Sequence, residues 1–107
     1  MRSAAERTGR VRLDDTFAAS LPFSLMAALQ NGADLEFRTL RRVLDCEGRS
    51  LSGAIGQLQR VGYVFARRVS FGEVPGTWIS ATPRGRVAFD DHLAALREIA
   101  SDAPPSR

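Results

Sequence analysis

The stretch Ser50–Val64, SLSGAIGQLQRVGYV, decides how the whole chain is read. Leu51, Ile55 and Leu58 recur at spacings of four and three, the period of one buried helix face. Gly62 supplies the residue type that ends a helix, and Tyr63 and Val64 open a run of β-formers. At 100° per residue, Arg49, Gly53, Gly56 and Arg60 fall opposite the apolar face. A glycine inside a helix costs about 1 kcal/mol relative to alanine. Two of them on an outward face have two readings. Either they let the helix backbone approach a groove or a partner helix closely, or the face simply tolerates them.

Working outward, Phe37, Leu40 and Leu44, with Val43 alongside, predict a second helix that stops in the turn DCEG, which contains Gly48. Before it, ADLEF predicts a very short strand. Earlier still, Leu21, Leu25 and Leu29 predict a helix with Ser20 as its cap, Pro22 in its first turn and Asn31-Gly32 as its stop. LDDTFAAS reads as a helical lead-in. Downstream, YVFARRVS and TWISA around the turn FGEVPG predict a hairpin. Thr82 caps the last helix and Pro83 opens it, and Phe89, Leu93, Leu96 and Ala100 run along one stripe with Ile99 close by. Residues 1–12 read as a loose basic tail, 13–101 as one domain and 102–107 as a second tail.

Helix, short strand, helix, turn, helix, hairpin, helix is the layout of a winged helix-turn-helix. The expected class is α+β, mainly α, with a two-stranded wing and a C-terminal dimerisation helix. In that layout the second helix of the pair enters the major groove of DNA.

GRSLSGAIGQLQRVGYV, GTWISATPRGR and LDDTFAASLPFSLMAALQNG also resemble the short, single-domain winged-helix transcriptional regulators related to the MarR group. The resemblance spans Leu13 to Leu96 and rests on "LS" in the third helix, L-x-x-x-GYV into the wing and TW-x-x-x-TP-x-GR out of it. It implies a dimeric repressor or activator on double-stranded DNA, without enzymatic activity or cofactor. It names no small-molecule effector. Relatives usually carry His or Lys at the positions of Ala54, Gly56 and Gln57, and Arg near those of Glu73, Val74 and Gly76. The smoother helix and the uncharged or acidic wing tip support an alternative, a winged-helix module that has lost DNA binding and docks a protein.

Composition bounds the rest. The chain of 107 residues suits one domain, and its one Cys and one His allow neither an intrachain disulfide nor a tetrahedral zinc site. No apolar run spans a bilayer and MRSAAERTGRVR is not a secretory signal, so a cytoplasmic protein that does not enter membranes is expected. All 15 basic residues are Arg, which reads either as codon bias or as phosphate recognition. Residues 36–70 hold seven Arg against three acids, a net +4, whereas residues 71–107 hold four against five, a net −1. A polyanion would therefore meet the middle of the chain. No nucleophile motif, phosphate-binding Gly-rich loop or metal-ligand spacing appears, which argues against an enzyme.

The residues expected at DNA follow. Arg49 and Arg60 clamp phosphates or guanine edges at the two ends of the third helix, with Ser52, Gly53, Gly56 and Gln57 between them. Ser50 is placed in this set, although capping the helix suits it better. Arg38, Arg41 and Arg42 either touch backbone phosphate or form an ordinary solvated face. Arg67 and Arg68 are consecutive on a strand, so at most one of them reaches DNA. Phe89, Leu93, Leu96, Ile99 and Ala100 are the expected dimer seam. Trp78 and Phe71 are expected in the hairpin core, His92 at the surface or an interface, and Cys46 as a small core filler.

Overall fold

The structure, a computed structural model, describes residues 13–70 and 75–102. After a single 3-10 turn at Asp15–Phe17, helix α1 spans Ser20–Ala28. Ser20 does not cap it. Ser20 is its first residue, and Ala19 occupies the cap position without a side-chain bond. The chain turns where Asn31 and Gly32 both adopt left-handed backbone, at φ 68° and 75°; these two residue types tolerate it at low cost.

Strand β1 covers Asp34–Glu36 and helix α2 covers Phe37–Leu44. The Glu36 carboxylate accepts the Arg38 N–H at 2.9 Å and so caps α2. Helix α3 spans Gly48–Arg60. Two local expectations fail at the turn before it. Gly48 is the first residue of α3, and Asp45 takes the left-handed position at φ 51°. Ser50 lies inside the first turn and is exposed, while Glu47 stands at the cap position.

Strands β2 (Val64–Val69) and β3 (Gly76–Ala81) form the hairpin, and helix α4 runs over Pro83–Asp102. β1 also pairs with β3, giving an antiparallel sheet in the order β1-β3-β2 with Leu35 and Ala66 both opposite Ile79. Side chains alternate across such a sheet. Ile79 and Ala81 point into the core and are buried. Trp78 points the other way, half-buried on the outer face with the Arg67 guanidinium 5.9 Å from its ring centre. It is therefore not a core residue, while Phe71 lies outside the described residues.

The core joins Leu25 and Met26 of α1, Leu40 of α2, Leu51 and Leu58 of α3, Ile79 of β3 and Phe89 of α4. Val43, expected on the apolar stripe of α2, is exposed. Phe89 is 2% exposed and meets the edge of Phe17 at 5.2 Å. His92 is buried rather than at the surface: its Nδ1 accepts the Asp14 N–H at 3.0 Å and its ring lies against Phe17 and Phe23. The segment before α1 folds back over α4 and covers it.

One junction ties these elements together. Gly62 ends α3 at φ 80°. The Thr82 hydroxyl donates to the Gly62 carbonyl at 2.7 Å and accepts the Gly85 N–H at 2.9 Å, capping α4 as expected. The Tyr63 carbonyl accepts the Thr82 N–H at 3.0 Å. Gly85 packs so tightly there that a β-carbon on it would lie 2.0 Å from the Tyr63 carbonyl oxygen. The Tyr63 hydroxyl donates to Asp14 at 2.6 Å. Burial, the bond to Asp14 and its charge push the Tyr63 hydroxyl up from 10 to about 12. For Asp14, burial raises the carboxyl, but bonds from Tyr63 and Thr16 together with nearby His92 outweigh it and leave the group below its ordinary value.

Two outcomes follow in urea unfolding. Gly85→Ala should cost about 1–3 kcal/mol or more by overpacking against backbone that cannot move aside. Gly53→Ala, where an added β-carbon meets nothing within 4 Å, should instead stabilise the fold by up to about 1 kcal/mol. For Asp14 the lowered folded pKa means that its contribution is present above the unfolded value and is lost as pH falls through the folded one. The stability gap between wild type and Asp14→Asn, about 1–2 kcal/mol at neutral pH, should therefore close in acid. A gap constant down to pH 2 would show that the carboxylate charge contributes nothing.

Candidate nucleic-acid interface

The helical period of α3 sorts its residues as expected. Leu51, Ala54, Ile55 and Leu58 are buried, and Arg49, Ser50, Ser52, Gly53, Gln57 and Arg60 are exposed, with Gly56 half-exposed. The fit between the buried face and α1 holds the outward face in place. The middle of that face is bare. Gly53 has open space around it, and at Gly56 the nearest foreign atom is Nη1 of Arg60, 3.7 Å from where a β-carbon would sit. The glycine thus leaves room for the Arg60 head to lie back along the helix.

The arginines near this face differ in how free they are. The Arg38 Nε, itself exposed, lies 3.6 Å from the buried Glu36 carboxylate. Arg41 lies over Gly48, 3.8 Å from where a β-carbon there would sit, and donates from Nε to the Cys46 carbonyl at 3.4 Å, so it is held against the turn between α2 and α3. Arg67 is bound to Asp34 across the outer sheet face and covers Trp78. Among the described residues, Arg42, Arg49, Arg60 and Arg68 have no ion-pair partner. Such unneutralised guanidiniums are ready for phosphate.

Arg68 differs from Arg67 by the alternation of the strand. It lines a groove of about 350 Å³ between α3 and the wing, together with Ser52, Gln59 and Thr77. Arg67 also borders this groove, but its guanidinium is engaged by Asp34, which leaves Arg68 as the arginine beside α3 without an acidic partner among the described residues. Gln59 joins the expected set here. Its place on the wing-side flank of α3 was readable from the helical period, but the presence of the wing beside it was not. The wing-tip residues Glu73 and Val74 lie outside the described residues. Among the described residues no group of three or more His, Cys, Asp and Glu could hold a metal ion, and no helix is long and apolar enough to cross a membrane.

The expected dimer seam divides. Phe89 is enclosed in its own core and has no surface to offer a partner, and Leu93 is half-buried against that core. The reason is the segment 13–17, whose Phe17 covers this part of α4. Leu96, Ile99 and Ala100 remain exposed, and Leu13 is exposed nearby, across a groove it shares with Leu96.

Residues 21–100 match the family described as winged helix DNA-binding domain. Among solved structures, the chain is similar to a transcriptional regulator homologue from Pyrococcus horikoshii OT3 (TM-score 0.80, 21% identity, 90% of this chain and 95% of that one). It is similar to the multiple antibiotic resistance repressor MarR (TM-score 0.67, 15% identity, 91% and 70%). It is also similar to a MarR-family transcriptional regulator from Silicibacter pomeroyi (TM-score 0.60, 21% identity, 94% and 66%). At these identities the likeness is one of fold. No curated protein matches the sequence.

The two neighbouring wing arginines should separate cleanly in duplex binding. Arg68→Ala should weaken binding to all sequences alike and reduce the slope of log affinity against log salt by about 1. Arg67→Ala should leave that slope unchanged, because its charge is already taken by Asp34. Equal slopes for the two variants would show that the strand alternation does not decide phosphate contact.

Proposed function

The chain belongs to the family of winged helix DNA-binding domains, and on that premise we propose that it is a cytoplasmic transcriptional repressor that binds a palindromic duplex as a homodimer. One observation carries the reading. Arg42, Arg49, Arg60 and Arg68, all without acidic partners among the described residues, lie on the helix-turn-helix and the wing, the elements that meet DNA in this layout. Arg38 and Arg41 sit behind them as weaker phosphate contacts, and Ser50, Ser52, Gly53, Gly56 and Gln57 present the surface of α3 to the groove. The protein acts by binding, with no cofactor.

The dimer reading rests on the far end of α4. Leu96 and Ile99 are 38% and 37% exposed, with Leu13 at 42%. Apolar surface gathered in this way marks an interface. A twofold axis there would offer two copies of α3 to successive turns of one duplex face, about 34–36 Å apart.

The bare middle of α3 favours a second reading, a module that docks a protein, and salt separates the two. If each protomer neutralises four phosphates, affinity for a duplex should fall about 10³–10⁵-fold between 50 and 200 mM salt. A partner interaction that ignores salt, with no duplex binding at 50 mM, would favour the second reading. In sedimentation at micromolar concentration the wild type should run as a dimer and Leu96→Asp as a folded monomer. A monomeric wild type would overturn the palindrome.

A further inference from the structure

Resting on the DNA reading above, we propose that Gln57 is the specificity-determining residue of α3 and that it reads an adenine in the major groove, brought within reach by the bare surface at Gly53. The outward face has three strips. On the wing side, Ser52 and Gln59 line the groove shared with Arg68 and Thr77, a place for backbone phosphate. Along the centre, Arg49 and Arg60 stand near the two ends of the helix, about 16 Å apart at 1.5 Å per residue, with the two glycines between them. On the far side lies Gln57, one turn beyond Gly53, exposed and bonded to no other described residue.

With no side chain projecting from Gly53, and open space around it, the backbone of α3 can settle closer to the groove floor than a helix with long central side chains. At that depth Gln57, midway along the helix on its far flank, offers a long side chain that carries a donor and an acceptor together. Its amide carbonyl can accept from adenine N6 while its amide NH₂ donates to N7. Guanine presents two acceptors, N7 and O6, on the same edge, so the glutamine would leave its own carbonyl unpaired against guanine. Discrimination therefore follows from the chemistry of the amide. The arginines at the two ends hold the helix in place, by phosphate or by a guanine edge, without deciding the base at the centre.

The test is enrichment of binding sequences from a pool of randomised duplexes, run on the full-length wild type, Gln57→Ala and Gly53→Leu. The wild type should enrich sites with an adenine at one position in each half. Gln57→Ala should lose the preference at that position alone, a drop of about 5- to 150-fold for the wild-type site, and keep the others. Gly53→Leu, at a position where an added β-carbon meets nothing within 4 Å, should melt no lower than the wild type and lose affinity for every sequence. If Gln57→Ala enriches the same site with the same strength, or if the position it governs holds guanine, this inference is wrong and the DNA reading stands. If the wild type retains no duplex at low salt, the DNA reading fails and takes this inference with it.

Discussion

The close approach of Gly85 to the Tyr63 carbonyl is the contact on which the rest of the molecule depends. A β-carbon at position 85 would lie 2.0 Å from that oxygen, so the start of α4 can lie against the end of α3 only because position 85 is glycine. The surrounding bonds lock the same place. The Tyr63 N–H donates to the Leu58 carbonyl at 2.9 Å, its carbonyl accepts from Thr82, and the Thr82 hydroxyl bridges Gly62 and Gly85. In this partly buried junction each bond satisfies a polar group that the packing has drawn away from water. The sequence pair GYV and TP-x-GR is thus one physical unit split by the wing.

That unit sets the angle between α3 and the wing. Gly62 ends α3 and Val64 begins the wing, so the path from helix to hairpin is settled within three residues. The Tyr63 side chain extends the same control to the other end of the chain. Its ring stacks on Phe17 at 5.6 Å and its hydroxyl holds Asp14, whose N–H in turn holds His92 of α4. Tyr63, in the turn after α3, therefore touches the N-terminal segment that covers α4.

The arginine-rich composition takes on meaning only when sorted by partner. Arg67 neutralises Asp34 and covers Trp78, stiffening the outer sheet face, and Arg41 fastens the turn between α2 and α3. Exposed pairs of this kind contribute little individually. Their consequence is selection, since they occupy some guanidiniums with protein partners and leave others unpaired. Net charge alone, +4 over residues 36–70, does not make that distinction.

Periodicity and punctuation in the sequence were enough to determine the element order, the outward face of α3, the αL stop at Asn31-Gly32, the Thr82 cap and the split between Arg67 and Arg68. These are local properties: a helix repeats every 3.6 residues and a strand every two, so the face of a side chain follows from its position. Caps were less legible. Glu36 and Glu47 occupy the cap positions of α2 and α3, and the expected caps Ser20 and Ser50 lie inside their helices, because serine suits a first turn as well as a cap. Only the tertiary structure decided that Phe89 and His92 are interior, that Trp78 lies on the outer sheet face and that β1 joins the wing. Each of these depends on a segment distant in sequence: Asp14 and Phe17 cover α4, and Asp34 reaches Arg67 across β3. A hydrophobic stripe shows that a helix buries one side, and what covers that side is set by where the chain returns.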